Sequence, residues 1–263
     1  MKINVVCIDC EKQGKKHELK CDLTDSLSYE FTCNRGHKNV FLLRSHKFEL
    51  LFQMGLYAFS DGYFREAVSN FAAALERFHE FCIAVLSWEL GNKNVVTDQN
   101  SDVRSHILMG EHFNVEYKNA WKELSRQSER QLGAYIMLYL VTFKRNPILM
   151  SHKWVEFRNR IVHKGTFPDT DDTNEYARVT FDYIKGKLLE LKSAYPESTE
   201  AVYSKEIQEY KDRQLDSYNG STVYTYKPYT AFHVGDEIEN LTNLEFEEAK
   251  IHAHALSISK IYI

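Results

Sequence analysis

The segment YFREAVSNFAAALERFHEFCIAVLSWEL, residues 63–90, decides the fold. Its apolar residues Phe64, Val68, Phe71, Leu75, Phe78, Cys82 and Val85 recur four and three apart in strict alternation. Only an α-helix brings that spacing onto one face, so a long helix seated in a bundle or a dimer seam is predicted. Asp61 is placed to cap its start and Gly91 to stop it. Cys82 falls on the stripe and is assigned to the core.

Helical patterning continues outward from this segment. Residues 47–59 read as a shorter preceding helix, and 92–101 form a polar break. Helices are expected over 103–126 and 129–144. Asn146-Pro147 offers a cap followed by Pro at the first helical position, starting a helix that carries Met150, Trp154, Phe157 and Ile161 on one face and ends near Gly165. A further helix over 173–193 repeats the pattern with Ala177, Phe181, Ile184, Leu188 and Leu191. Past Tyr195 the pattern weakens: 200–217 and 244–256 read as helical, 222–234 as a strand or hairpin, and 258–263 as a terminal strand. Tyr224, Tyr226 and Tyr229 are expected to pack rather than stack on bases.

The first 43 residues read differently. Short β-prone runs at 3–6, 18–20, 28–32 and 40–43 alternate with turns bearing Cys and Gly. Four of the five cysteines crowd into residues 1–33. Cys7-x2-Cys10 is followed by Cys33-x3-His37, and two paired ligand turns separated by strands are the usual way to give zinc four N/S ligands. Gly36 eases the second turn because glycine accepts positive φ. Cys7, Cys10, Cys33 and His37 are therefore assigned to a structural zinc, similar to a small zinc ribbon. Cys21 or His17 could replace one of the four, and Cys21 is taken as spare.

Composition narrows the classes. With 43% hydrophobic residues, 4 Pro and 11 Gly, the chain can bury a core, and disorder or repeats fit poorly. The longest strongly apolar stretch, 134–143, is too short to cross a bilayer, and the N-terminus reaches a cysteine pair before a signal-peptide core forms. A cytoplasmic protein without membrane contact is expected. The net charge of -4 gives no overall pull toward nucleic acid. Locally, however, Lys144, Arg145, Lys153, Arg158, Arg160 and Lys164 face one acid, Glu156, a patch able to attract phosphate. Glycine-rich phosphate loops, Ser-nucleophile elbows and HExxH patterns are absent. Beyond Glu247 and Glu248, His252 and His254 have no nearby Cys or acid at fitting spacing, and they read as part of a helix.

Within the patch, Arg158 and His163 are five residues apart at a predicted helix end. Regular helix geometry separates them by about 140°, so convergence requires the helix to loosen near Gly165. Cleaving RNA without a metal needs a group that moves protons near neutral pH and a cation that holds the phosphate. Imidazole and guanidinium suit those tasks. Asn159 can orient a phosphate oxygen or the imidazole.

The run Phe157-Arg158-Asn159-Arg160-Ile161-Val162-His163-Lys164-Gly165 resembles the signature of HEPN domains, an Arg followed by a polar residue and leading to a His, with four to six residues between Arg and His. Glu66-Ala67-Val68 and Ala73-Ala74-Leu75-Glu76 resemble that family's first core helix. The similarity covers about 47–193. It implies a metal-independent endoribonuclease acting on RNA, dimeric so that two motifs face one cleft, and working in anti-phage defence or a toxin–antitoxin system with an antitoxin or other defence partner. It also implies that Arg158 binds phosphate, His163 is the general acid or base, Asn159 is the polar motif residue and Glu76 an acidic partner. Lys153, Arg160 and Lys164 would contact RNA, and no catalytic metal is expected. A non-catalytic sensor or adaptor for nucleic acid, nucleotide or protein is the alternative. The expected architecture is mainly α: a HEPN-like helical bundle (44–195), a small N-terminal β zinc ribbon (1–43) and a mixed C-terminal extension (196–263).

Overall fold

The computed structural model describes residues 2–15, 18–25, 28–93, 115–215 and 222–258. Its N-terminal part comprises β1 (Lys2–Val6), α1 (Ile8–Glu11), β2 (Glu18–Asp22), β3 (Ser28–Thr32) and β4 (Lys38–Leu43). Helices α2 (Lys47–Ser60), α3 (Phe64–Lys93), α4 (115–124), α5 (Ser128–Phe143), α6 (His152–Lys164), α7 (Thr170–Ala194) and α8 (Pro196–Leu215) follow. Strand β5 (Thr222–Tyr226) and helices α9 (Ile238–Asn243) and α10 (Phe246–Ile258) complete the chain. The molecule is mainly helical with a small N-terminal strand region, as the patterning predicts.

Helix α3 is the axis of the bundle and contacts α2, α5, α6, α7 and α8. Of the expected stripe, Val68, Phe71, Phe78, Cys82 and Val85 are buried and Phe64 and Leu75 half-buried. Burial spreads well beyond it, to Ala67, Ala74, Phe81, Ile83 and Leu86, because neighbours surround the helix. Helix α2 packs tightly on it: a Cβ built on Gly55 would lie 2.4 Å from the Phe71 ring. Glycine is needed there for space.

Three expected boundaries move. Asp61 closes α2 at its C-terminus, and α3 opens one turn later, with the Ala67 amide donating to the Tyr63 carbonyl at 2.9 Å. Gly91 does not stop α3, which runs on to Lys93; one helical glycine costs about 1 kcal/mol, less than packing supplies. Asn146-Pro147 does not start α6. Lys144 takes the left-handed conformation (φ 59°) and ends α5, the chain stays non-helical to Ser151, and Ser151 is the N-cap of α6. Proline disfavours helical backbone at the residue before it, which keeps Asn146 out of a helix.

The C-terminal residues join both parts. β5 lies parallel to β4, with Phe41 opposite Tyr224, and β3 pairs antiparallel on the other side of β4. Only residues 222–226 of the expected 222–234 strand are extended in a sheet. Beyond them Phe232 enters the main core between Phe48, Phe52 and Phe181. The fully buried Glu49 carboxylate accepts from the Ser45 hydroxyl, the His46 amide at 3.0 Å and the Val234 amide at 2.6 Å, tying the start of α2 to this segment. A buried carboxylate is tolerable because these donors replace water. The expected terminal strand at 258–263 lies outside the described residues except Ile258, which ends α10.

Candidate functional site

Two chemical centres were expected, and the first lies between the hairpin turns. Cys7 leaves β1, Cys10 sits on the single turn α1, Cys33 leaves β3 and His37 precedes β4. The turn between the last two is closed by hydrogen bonds from the Gly36 amide to the Cys33 carbonyl (2.9 Å) and from the Cys33 amide to the His37 carbonyl (3.0 Å), with Gly36 at φ 83°. The four donor atoms lie within 4.8 Å of one another and form a cluster that can hold a metal ion. Cys10 Sγ is 3.8 Å from Cys33 Sγ, and His37 Nδ1 is 3.7, 3.4 and 3.5 Å from the sulfurs of Cys7, Cys10 and Cys33.

The surroundings favour a cation. Cys7, Cys10 and Cys33 are buried, so thiolates there lack water. Burial and the neighbouring thiols of Cys7 and Cys33 push the Cys10 thiol up to about 11. Burial also opposes ionisation at Cys33, but amides of Arg35 and His37 and the thiols of Cys7 and Cys10 outweigh it and bring that thiol to about 7. One negative charge is thus easily placed among the sulfurs and further ones repel it; a metal ion relieves this repulsion. The Asn39 amide group donates to Cys7 Sγ at 3.3 Å and the Arg35 backbone amide to Cys33 Sγ at 3.4 Å, as ligand-orienting partners do. Cys21 stands on β2 opposite Ile3, packed against the Tyr29–Phe41 cluster and outside the ligand group. His17 lies outside the described residues.

The second centre is on α6. Trp154, Phe157 and Ile161 bury one face of this helix. Arg158 lies at the edge of that face, and its guanidinium pairs with Glu76 of α3. A second N–H of Arg158 donates to Asn159 Oδ1 at 2.9 Å. The structure therefore brings Arg158, Asn159 and Glu76 together. His163 stays helical in the last turn, is exposed, and among the described residues no hydrogen bond or ion pair joins it to those three. The helix does not loosen before Gly165, which caps it at φ 71°. Arg158 and His163 consequently remain about 140° apart around the axis and about 7.5 Å apart along it.

The basic patch is partly neutralised. Arg145 pairs with Glu190 of α7, and Arg158 with Glu76. Lys153 lies over the Trp154 ring at 4.3 Å and Arg160 near the Phe157 ring at 5.9 Å, while Lys144, Lys153, Arg160 and Lys164 are exposed. One group of residues was not singled out from the sequence. Arg77 pairs closely with Glu80 (2.6 Å) and stands only at the outer limit of an ion pair, 4.0 Å, from Glu76, and the Gln131 amide group donates to Glu80 at 2.8 Å. The i,i+3 spacing of Arg77 and Glu80 was its only signal.

The remaining candidates have structural roles or none visible. Tyr224 donates to the Val6 carbonyl at 2.7 Å and packs on Phe41, and Tyr229 stacks on His252. His254 is exposed on α10, and among the described residues no ligand group includes either histidine. No described helix is long and apolar enough to cross a membrane. No family model, curated protein or solved structure matches the chain, so the reading of both centres rests on their own geometry and on sequence resemblance.

Proposed function

We propose that this chain is a metal-independent endoribonuclease of the HEPN type, cytoplasmic, working as a homodimer in anti-phage defence or a toxin–antitoxin system. The observation that carries the reading is the Arg158 guanidinium, held by Glu76 and Asn159 at the edge of a helix whose outer face presents His163. Arg158 has five N–H donors, and two acceptors leave several for a phosphate. With its oxygen taken by Arg158, the Asn159 amide offers its NH2 as a further donor.

The 140° between Arg158 and His163 argues for two copies. If the outer face of α6 meets the same face of a second copy, the phosphate held by one Arg158 comes within reach of the other chain's imidazole. In the reaction one neutral imidazole takes the proton of the ribose 2′-hydroxyl, whose oxygen attacks the adjacent phosphorus. The bond to the 5′-oxygen breaks, and a protonated imidazole gives that oxygen its proton. The products are a 2′,3′-cyclic phosphate and a 5′-hydroxyl, and the guanidinium stabilises the added negative charge. Lys153, Arg160 and Lys164 supply non-specific attraction for the strand.

We further infer that the ion of the Cys/His centre is zinc in a structural role. Zinc bonds of about 2.3 Å to sulfur and 2.0 Å to nitrogen at tetrahedral angles require edges of about 3.8 Å between sulfurs and 3.5 Å between sulfur and nitrogen. Four of the six edges, at 3.4–3.8 Å, fit, all four donor atoms lie within 4.8 Å of one another, and four protein ligands leave no open position for chemistry.

The test is incubation of zinc-loaded protein with total RNA in EDTA, with metal content checked afterwards. Cleavage is expected to persist in EDTA and to vanish in both Arg158→Ala and His163→Ala; cleavage that survives both substitutions refutes the assignment. One observation favours a second reading: Arg158 is already neutralised by Glu76, as suits a non-catalytic RNA or nucleotide sensor. That reading predicts binding without turnover.

A further inference from the structure

The Arg158–Glu76 pair lies next to a competitor. Among the described residues Glu76 has one other guanidinium within reach, Arg77, whose Nη2 stands 4.0 Å from Glu76 Oε2. Arg77 is held off by Glu80, whose Oε1 is 2.6 Å from Arg77 Nη1. Glu80 is itself fixed from α5, because the Gln131 side chain, 2% exposed, donates to the same oxygen at 2.8 Å. Side-chain exposures of 19% for Glu80, 28% for Glu76 and 22% for Arg158 leave these pairs only partly screened by water. Gln131, Glu80, Arg77, Glu76 and Arg158 thus form one chain of contacts from α5 across α3 to α6.

We propose that Glu80 is a positioning residue for the phosphate-binding arginine: by holding Arg77 it keeps that guanidinium off Glu76 and leaves Glu76 free to orient Arg158. The inference rests on the ribonuclease reading of Arg158. Two carboxylates four residues apart on a helix repel each other, and Arg77 between them lowers that cost. Each guanidinium nevertheless has its own carboxylate only while both acids are charged. Removing the charge at position 80 leaves two cations competing for Glu76. Arg158 then loses its fixed direction while the surface gains one positive charge, so RNA should bind better and react worse. A residue that merely supports the fold moves neither in opposite directions.

The experiment uses zinc-loaded full chain and a short fluorescein-labelled single-stranded RNA in EDTA. Binding is measured in a His163→Ala background and single-turnover cleavage with His163 intact. Glu80→Gln keeps an acceptor for Gln131 and removes the charge. It should bind the RNA roughly three- to fivefold more tightly, the scale of a partly exposed ion pair, and cleave it about tenfold more slowly at saturation. Arg77→Gln should bind less tightly by a similar factor and keep its saturated rate, because Glu76 still holds Arg158. The double variant Arg77→Gln/Glu80→Gln removes the competitor as well as its partner, and should recover the wild-type rate, which also excludes a folding defect as the cause of slow cleavage by Glu80→Gln. A Glu80→Gln rate equal to wild type, or a double variant as slow as Glu80→Gln alone, overturns the positioning role and leaves the ribonuclease assignment standing. Wild-type protein that neither binds nor cleaves the RNA overturns both.

Discussion

With a metal ion bound at the Cys/His centre as proposed, its removal should loosen the N-terminal strands and leave the helical core intact. The size of the effect follows from what the ion would tie together. Cys10 and Cys33 are 23 positions apart, and cross-linking two points at that separation removes denatured-state freedom worth about 3 kcal/mol on the chain-entropy model. The apolar cluster that could resist this loss is small: Val5, Tyr29, Phe41, Leu43 and Leu50 are its buried members. A stretch with so few core residues usually depends on a staple. Three kcal/mol corresponds to roughly a hundredfold change in an opening equilibrium. Hydrogen exchange measured with and without a chelator reads it directly. Amides of β1, β3 and β4 should exchange about a hundredfold faster after chelation, and β5 should follow because its ladder is built on β4. Amides in the middle of α3 should not change. Native mass spectrometry should find one metal ion per chain before treatment. Protein purified without any bound metal whose strand exchange ignores chelator refutes the reasoning, and so does equal acceleration in α3.

Other perturbations separate packing from chemistry. Gly55→Ala gains up to about 1 kcal/mol of helix propensity but forces a methyl against the Phe71 ring, which costs about 1–3 kcal/mol; the melting temperature should fall by several degrees, and an unchanged or raised value disproves the close contact. His79 is buried against Tyr135 and Tyr183, and burial brings its imidazole down from 6.5 to about 4. The unfolded chain therefore binds the extra proton first as pH falls below about 6.5, so this group's contribution is complete above that value and drains away toward pH 4. Between pH 8 and pH 5 wild type should lose about 2 kcal/mol more stability than His79→Gln in urea titrations. Equal losses in the two proteins refute the buried neutral histidine.

Helices were legible where burial is periodic, and their ends were not. The four-three alternation of residues 63–90 records that the segment is helical even though burial extends beyond the stripe, and a pattern that long has no strand equivalent. Helix ends depend on short-range choices that several residues can satisfy. Asp61 offered a cap and was used at the end of α2, and Gly91 offered a stop and was overridden by packing. The β-prone run beginning at Thr222 was visible, but its pairing with β4 was not. A parallel partner far away in sequence leaves no mark comparable to the turn of a hairpin, so the way the C-terminus joins both parts had to come from the structure.

The two centres differ in the same way, for a reason rooted in how each is built. The candidate metal ligands come as local pairs, Cys7 with Cys10 and Cys33 with His37, and each pair's spacing is fixed by one turn, so only the meeting of the pairs had to be supplied by folding. The α6 site is assembled across helices. Arg158 and Asn159 were legible as a motif, and Glu76 could be matched by register alone. Arg77 and Glu80, however, look in sequence like any solvated i,i+3 pair, and such pairs contribute little on their own. Arg178 pairs with Glu175 at the same spacing on the exposed face of α7, where its other ion-pair partner among the described residues is Asp182 of the same helix. What distinguishes Arg77 and Glu80 is the position of their neighbours: a buried Gln131 on one side and a carboxylate already committed to Arg158 on the other. Charge on a helix surface gains a role only when a second element confines it, and that confinement is a property of packing.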